Sequence, residues 1–400
     1  MTDNAYTNRI VHRGPNFLQT PGPSPVPEQV LSAMSRQPVE FATDEFTEFT
    51  LGCFTDLKKV FKTEEGRCFL YASNGHGAWQ AALANLITPG DLVLVPETGN
   101  FSVGWADLAV KLGARLETIE GDWRHGADPQ KIEDRLKADK AHEIKAVMLV
   151  HTDTSTSITS DVQAARKAMD AAGHPALFMV DTVASLATDD FQMDAWGVDI
   201  AICASQKGLM LPPGLGIVAA SPKAVEIGTR EPVHGSYWDW KTRVEEPVYR
   251  WFCGTAPEHL LFGLREVLDM LQEEGLGNAF ARHKRLANAV HATVEAWSTE
   301  GAMELNASQA DQRANSVTTI RVDEKYNPDN FRRICSDRFN VSLGHGMASL
   351  AGKAFRIGHM GYTNEPTILG ALASVEASFK LSGIPYGKGG MEAAIDSLTK

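Results

Sequence analysis

Residues 176–207 read ALFMVDTVASLATDDFQMDAWGVDIAICASQK. Two short apolar runs, ALFMV and DIAICAS, stop abruptly on polar chemistry, the first on Asp181 and the second on Ser205-Gln206-Lys207. Runs this short and this apolar suit strands buried on both faces. The pattern continues outward in both directions. CFLYAS from Cys68, DLVLVPE from Asp91 and IKAVMLVHT from Ile144 precede it, and LGIVAAS from Leu215 follows. Helical patterns separate them, in AWQAALANLI from Ala78 and around Val103 to Leu112 and Val162 to Ala172. Strands alternating with helices in this way predict an α/β fold, a parallel sheet covered on both faces with right-handed connections.

At 400 residues and 43.5 kDa the chain is too long for one core, so a large domain and a smaller one are expected. Residues 14–27, GPNFLQTPGPSPVP, are rich in Pro and Gly and are expected to be irregular, closing an N-terminal arm of residues 1–27. A helix should follow near Glu28 to Arg36. Beyond about Leu260 the texture changes. Helical patterns span Glu258 to Glu273 and Ala279 to Trp297, broken at GLGN. Strand candidates SVTTIRV, VSLGHG and FRIGHM then interleave with helices at Pro328 to Phe339 and Pro366 to Leu381. The expected division is a large domain over residues 28–274 and a smaller α+β domain over residues 275–400.

Composition removes several function classes. A net charge of -12 disfavours a nucleic-acid partner, because phosphate backbones select basic patches. No stretch approaches the roughly 20 apolar residues of a membrane helix. The N-terminus shows no apolar run of signal-peptide length and the terminal SLTK is no peroxisomal address, so a cytoplasmic location is expected. Five scattered cysteines without CxxC spacing argue against a disulfide framework or structural zinc. Twelve histidines contain no HExxH, and no metal site is expected.

Open α/β sheets bind ligands at the carboxyl ends of their strands. On that rim the sequence puts Asp181, Lys207, the loop His151-Thr152-Asp153-Thr154-Ser155, and Asn74-Gly75-His76-Gly77. A lone Asp there is more often a turn or cap residue, and a lone Lys a solvated charge. Lys207 differs, because it lies between DIAICAS and GLMLPPGLG, where an ammonium is poorly solvated. Burial favours the neutral amine, which suits a lysine to Schiff-base formation. SNGHGAW is a Gly-containing loop opening a helix, where free N–H groups make an anion seat. Neither GxGxxG nor GxxxxGK[ST] occurs, so a single phosphate fits better than a dinucleotide or a nucleoside triphosphate. Amine, carboxylate and phosphate seat together are what pyridoxal 5'-phosphate demands.

The stretch from Asp181 through Ala224, with TPGPSPVP near the start and GKAFRIGHMG near the end, strongly resembles the class V, fold-type I aminotransferases. It is most similar to the serine–glyoxylate and alanine–glyoxylate branch. That resemblance implies a large domain with a mostly parallel seven-stranded sheet and a smaller C-terminal α+β domain. It implies that Lys207 holds pyridoxal phosphate and shuttles protons, and that Asp181 pairs with the pyridine nitrogen. Phe101 and Val183 would face the two sides of the ring. Asn74, Gly75 and His76 would form the phosphate loop, with Gln206 at the phosphate or ring hydroxyl and Ser155 as the hydroxyl of a nearby loop. Thr255 would reach the partner's phosphate in a homodimer, and Arg356 would fork onto the substrate carboxylate.

Three positions depart from the commoner pattern. Asn74 replaces a hydroxyl residue, Thr156-Ser157 stands where Thr-Gly is common, and Phe252 stands where a Tyr often contacts the partner's phosphate. Trp79, Trp105, Trp196 and Trp251 read as packing residues, and Tyr237-Trp238-Asp239-Trp240 as either a channel wall or an interface loop. The expected reaction is ping-pong transfer of an amino group from serine, alanine or aspartate to a small 2-oxo acid, above all glyoxylate. Alternatives are a pyridoxamine–pyruvate type aminotransferase, or a lyase or desulfurase of the same class. A desulfurase needs a mobile catalytic cysteine, whereas Cys335 in FRRICSDRF reads as a buried small residue. A non-catalytic protein on this fold is disfavoured by the joint presence of Lys207, Asp181 and Arg356.

Overall fold

The computed structural model describes residues 14–230, 233 and 237–400. The first described strand, β1 (Phe17–Gln19), corrects the reading of residues 14–27 as wholly irregular. It precedes α1 (Glu28–Met34) and α2 (Asp44–Phe61), an 18-residue helix capped by the Thr43 hydroxyl. The α/β alternation then runs β2 (Arg67–Ala72), α3 (Gly75–Leu86), β3 (Leu92–Pro96), α4 (Asn100–Lys111), β4 (Arg115–Ile119), α5 (Pro129–Ala138) and β5 (Ile144–Val150). A two-residue-per-strand hairpin, β6 (Thr152–Asp153) and β7 (Ile158–Thr159), leads to α6 (Val162–Ala172), β8 (Leu177–Asp181), β9 (Ile200–Ala204) and β10 (Leu215–Ala220).

Seven of these strands form one sheet in the order β2-β10-β9-β8-β5-β3-β4. All are parallel except β10, which runs antiparallel to both its neighbours. The carboxyl ends of β2, β9, β8, β5 and β3 therefore share one rim with the amino end of β10.

The apolar runs divide with a period of two, as a pleated sheet requires. Cys68, Leu70, Leu94, Leu149, Phe178, Val180 and Cys203 enter one core, and Phe69, Tyr71, Val95, Met148, Met179 and Ile202 enter a second on the opposite face. A buried side chain of this size contributes roughly 1.5–3 kcal/mol. Helix α2 closes the first core with Phe46, Cys53, Phe54, Leu57, Val60 and Phe61.

Helices α7 (Pro222–Gly228) and α8 (Trp240–Glu245) follow the sheet and lead to α9 (Glu258–Glu274), which packs on α1 and α2. The chain breaks at Gly275, whose φ of 79° lies where only glycine is comfortable. It re-enters helix as α10 (Leu276–Trp297). Then come β11 (Met303–Leu305), β12 (Val317–Val322), α11 (Pro328–Phe339), β13 (Val341–His345), β14 (Ala354–Gly358), α12 (Glu365–Ser382) and α13 (Gly390–Leu398).

The second sheet has the order β1-β13-β14-β12-β11. β1 adds to it as a parallel edge strand, pairing Phe17 to Val341 and Gln19 to Leu343. A third core lies here, around Phe331, Phe355, Ile357, Val375 and Phe379. Arg356 is no edge charge. It sits on β14 between β12 and β13, opposite Thr319 and Gly344, and is 5% exposed.

Candidate active site

At the shared rim lies a cleft of about 230 Å³. Its lining includes Asn74, Gly75 and His76 from the start of α3, Phe101 from α4, and Asp181, Val183, Gln206 and Lys207 from beyond β8 and β9. Eight of the residues expected from sequence are thus gathered by four separate segments. Thr152 and Thr154, from the loop expected on this rim, complete much of the wall together with Gly22, Pro23 and Trp79, which were not expected there.

Lys207 is buried. Burial pushes its amine down to about 8, Arg356 pushes the same way, and Asp181 and Asp153 oppose it. The ammonium donates to the Pro21 carbonyl, and Ser24 Oγ donates to the Lys207 carbonyl at 2.8 Å. The backbone N–H of Ser24 also donates to the Gln206 carbonyl at 3.0 Å. The arm is therefore part of the site.

Asp181 ends β8 and is 3% exposed. Burial pushes its carboxyl up to about 7, against two donors that favour the anion. The Val183 N–H donates to Oδ1 at 2.7 Å, and the Trp79 indole N–H donates to Oδ2 at 2.8 Å. Trp79 is consequently more than the packing residue expected from sequence. Trp105, Trp196 and Trp251 do lie in or against the apolar cores.

Asn74 caps α3, its Oδ1 accepting from the N–H groups of His76 and Gly77 at 3.1 and 3.3 Å. An amide does here what a hydroxyl cap would do. His76 stacks at an angle on Trp79 with ring centroids 4.5 Å apart, and burial lowers its pKa.

Ser155 is fully buried behind the lining. Its hydroxyl donates to Asp153 Oδ1 at 2.5 Å and accepts from the Asn100 N–H at 2.9 Å. Asp153 in turn accepts from the N–H groups of Phe101 and Ser102 at 2.9 and 3.2 Å, neutralising the start of α4. A carboxylate following the end of β5, as Asp181 ends β8, was the available sequence signal for Asp153.

Ser157 holds φ at 58°, the left-handed region that favours glycine. That conformation accounts for a glycine being common at this position. The Ser157 hydroxyl also ties the loop to the second sheet by accepting from the Thr319 N–H at 2.9 Å.

Arg356 lies outside the cleft lining. Its Nε donates to the His345 carbonyl at 2.7 Å and Nη1 to the Thr154 carbonyl at 2.9 Å, so it joins the second sheet to the Thr152–Thr154 wall. Thr255 is in a different hollow, with Phe41, Thr242, Tyr249, Arg250 and Cys253. Phe252 is buried in the first core. Trp240 stacks on Phe69 at 4.6 Å and donates to the Tyr71 hydroxyl at 2.8 Å, and none of residues 237–240 lines the cleft. Cys335 is fully buried in α11, and burial pushes its thiol up to about 11.

A carboxyl-end cleft holding a buried lysine and a buried aspartate has the chemistry that pyridoxal phosphate requires. Comparison with known proteins narrows the class. Residues 16–365 match the family Aminotransferase class-V. The chain is 42% identical to serine–glyoxylate aminotransferase of Methylorubrum extorquens over 96% of both chains. It is 37% identical to L-aspartate–glyoxylate aminotransferase of Paracoccus denitrificans over 96% of each. It also superposes on the crystal structure of ureidoglycine–glyoxylate aminotransferase from Bacillus subtilis with a TM-score of 0.88 and 26% identity. That match covers 98% of this chain and 100% of the other. The chain belongs to the class-V aminotransferases, and it is an enzyme whose cofactor is pyridoxal phosphate.

The cleft fits that group on its own chemistry. It offers an amine of lowered basicity at Lys207 and an acceptor for a protonated ring nitrogen at Asp181. It also offers the Gln206 amide, whose Oε1 is buried without a partner among the described residues and would be satisfied by a polar ligand.

Proposed function

We propose that this enzyme moves an amino group from a small amino acid, serine, alanine or aspartate, to a small 2-oxo acid, above all glyoxylate, in a ping-pong reaction centred on Lys207. One observation carries the reading: the Lys207 amine, the Asp181 carboxylate and the start of α3 open into a single cleft. The activities of the relatives, serine–glyoxylate and aspartate–glyoxylate transfer, support the choice of substrates.

In this reading Lys207 carries the cofactor, Asp181 meets its pyridine nitrogen, and Phe101 and Val183 flank the ring. Asn74, Gly75, His76 and Gln206 hold the phosphate and ring-hydroxyl side, with Ser155 bracing the neighbouring loop. When bound, pyridoxal phosphate supplies an electron-withdrawing ring that stabilises negative charge at the substrate α-carbon. The chain supplies the rest. The Lys207 amine, at about 8, is partly neutral near physiological pH and can take the proton from the substrate α-carbon, hold it at Nζ and release it at a different position, as amino transfer requires. Arg356 orients the substrate carboxylate, because a guanidinium engages both oxygens at once. Burial of Asp181 and Lys207 keeps water from competing for either charge.

The family resemblance assigns Thr255 to the phosphate of a partner subunit, and Thr255 lies apart from the cleft of its own chain. We take the enzyme to be a cytoplasmic homodimer. No helix among the described residues is long and apolar enough to cross a membrane. We also take residues 28–274 and 275–400 as two domains following an arm of residues 1–27, of which 1–13 lie outside the described residues. The third core, separate from the two cores of the large sheet, supports that division.

The test is a half-reaction screen. Serine, alanine and aspartate are added singly to the loaded enzyme and the cofactor band is followed, then glyoxylate is added to restore it. Serine or aspartate is expected to bleach the band and glyoxylate to reverse the change. Lys207→Ala is expected to lower turnover by roughly 10²-fold or more. No bleaching by any of the three amino acids, or full turnover in Lys207→Ala, would overturn the proposal.

A further inference from the structure

We propose that Trp79 is a positioning residue for the cofactor: its indole N–H fixes the Asp181 carboxylate in the ionised, correctly turned state that meets the pyridine nitrogen. The inference rests on the pairing of Asp181 with that nitrogen, given above.

The geometry is specific. Trp79 lies on α3, one turn beyond Gly75, so the helix that begins at the proposed phosphate seat also carries the donor. Nε1 is 2.8 Å from Oδ2, while the Val183 N–H holds Oδ1 at 2.7 Å. The two oxygens thus have one donor each, from opposite sides of the chain, and the carboxylate plane is set. Each oxygen keeps acceptor capacity for a ligand in the cleft, because an ionised carboxylate has about four lone-pair sites. Trp79 is 2% exposed and lines the same cleft as Asp181. Its ring is held by Trp105, stacked at 6.0 Å, and by the edge contact with Phe101 at 6.3 Å.

Burial works against the anion at Asp181, whereas both donors work for it. A hydrogen bond to a buried carboxylate is charge-assisted and among the stronger kinds. Losing the indole donor therefore favours the protonated acid, which cannot accept a proton-bearing pyridine nitrogen in the same way. The balance is expected to move toward protonation at higher pH and to weaken the hold on the cofactor. Trp105 provides an internal control. It is equally buried and stacked on Trp79, but its indole N–H has no partner among the described residues.

The experiment compares Trp79→Phe, Trp105→Phe and Asp181→Asn with the unaltered enzyme, measuring pyridoxal phosphate dissociation by dialysis and the visible cofactor band from pH 5.5 to 9. Trp79→Phe is expected to release the cofactor about 10- to 100-fold more readily, the range for one charge-assisted hydrogen bond. The deficit should widen as pH falls, and Trp105→Phe should keep the normal pH profile. Adding Trp79→Phe to Asp181→Asn should cost little more.

Equal losses in Trp79→Phe and Trp105→Phe with the same pH profile would reduce Trp79 to packing and overturn the inference alone. Full cofactor retention in Asp181→Asn would instead remove the pairing on which it rests. Should Trp79→Phe not fold, the cofactor-free natural protein still answers. Among its eight indole N–H resonances, one should shift with the titration of a buried carboxylate, and none doing so would overturn the inference.

Discussion

Asp181 and Lys207 illustrate how one cleft moves an acid and a base in opposite directions by the same cause. Burial raises the acid to about 7 and lowers the amine to about 8, so both approach neutrality. For Asp181 the consequence for stability has a definite sign. Its folded pKa lies above the unfolded reference of about 3.9, so the cofactor-free native state binds more protons than the unfolded chain between the two values. Stability then falls as pH rises through that window, by up to about 1.4 kcal/mol per pH unit for one site. Buried histidines such as His151 and His359, whose pKa burial lowers, slope the other way, so the check is a difference. In thermal unfolding of the cofactor-free protein from pH 4.5 to 7.5, the stability of Asp181→Asn should rise more steeply with pH, or fall less steeply, than that of the unaltered protein. Identical slopes would show that Asp181 is not the group responsible. At this scale the sequence was legible where chemistry converges, since an Asp and a Lys at strand ends are each ambiguous alone but informative when both fall on one rim. Trp79 was not legible, because one large aromatic on an apolar helix face looks the same whether its N–H lacks a partner among the described residues, as in Trp105, or is bonded to a carboxylate.

Elements were read well wherever periodicity was clean and poorly wherever composition masked it. The strands around Val147, Val180 and Ile202 are uninterrupted apolar runs, and the helix at Val162–Ala172 begins on an Asp cap and ends on Gly173. In α2 the apolar stripe Phe46, Phe49, Cys53, Phe54, Leu57, Val60 and Phe61 has helical spacing, yet Gly52 and three threonines dilute it. β1 was hidden for another reason. An edge strand pairs on one side only, so three residues among prolines suffice, and composition alone read them as loop.

The arm beyond β1 has a role that composition could not show, since Gly22 turns with φ at 110° directly against the Lys207 side chain. A Cβ there would lie 2.6 Å from Lys207 Cε. Gly22→Ala should therefore both strain the arm, by about 1–3 kcal/mol, and displace the lysine. The expected outcome is a folded protein with unchanged circular dichroism and at least a tenfold slower uptake of pyridoxal phosphate into borohydride-stable linkage at Lys207. Normal uptake would mean that the arm yields without moving the lysine.

For the whole molecule, the proposed homodimer can be tested through Thr255, which lies apart from the cleft of its own chain. Lys207 faces the cleft, whereas Thr255 lines another hollow with Phe41 and Tyr249. In a homodimer with two-fold symmetry, a residue that serves the partner's site is supplied reciprocally. Subunit mixing separates this arrangement from one in which each chain builds its own site. Lys207→Ala homodimers are inactive by the chemistry argued above, and Thr255→Ala homodimers should load cofactor about tenfold less well at limiting concentration, the effect of one hydrogen bond to a charged group. When the two are unfolded together and reassembled, roughly half the dimers are mixed by random pairing. In each mixed dimer, one site receives both lesions and the other receives natural Lys207 from one chain and natural Thr255 from its partner. About a quarter of all sites should then regain tight cofactor loading and turnover, as expected for a two-fold exchange. If Thr255 served its own chain, every mixed site would carry one lesion, and activity at limiting cofactor would stay at the average of the two parent variants.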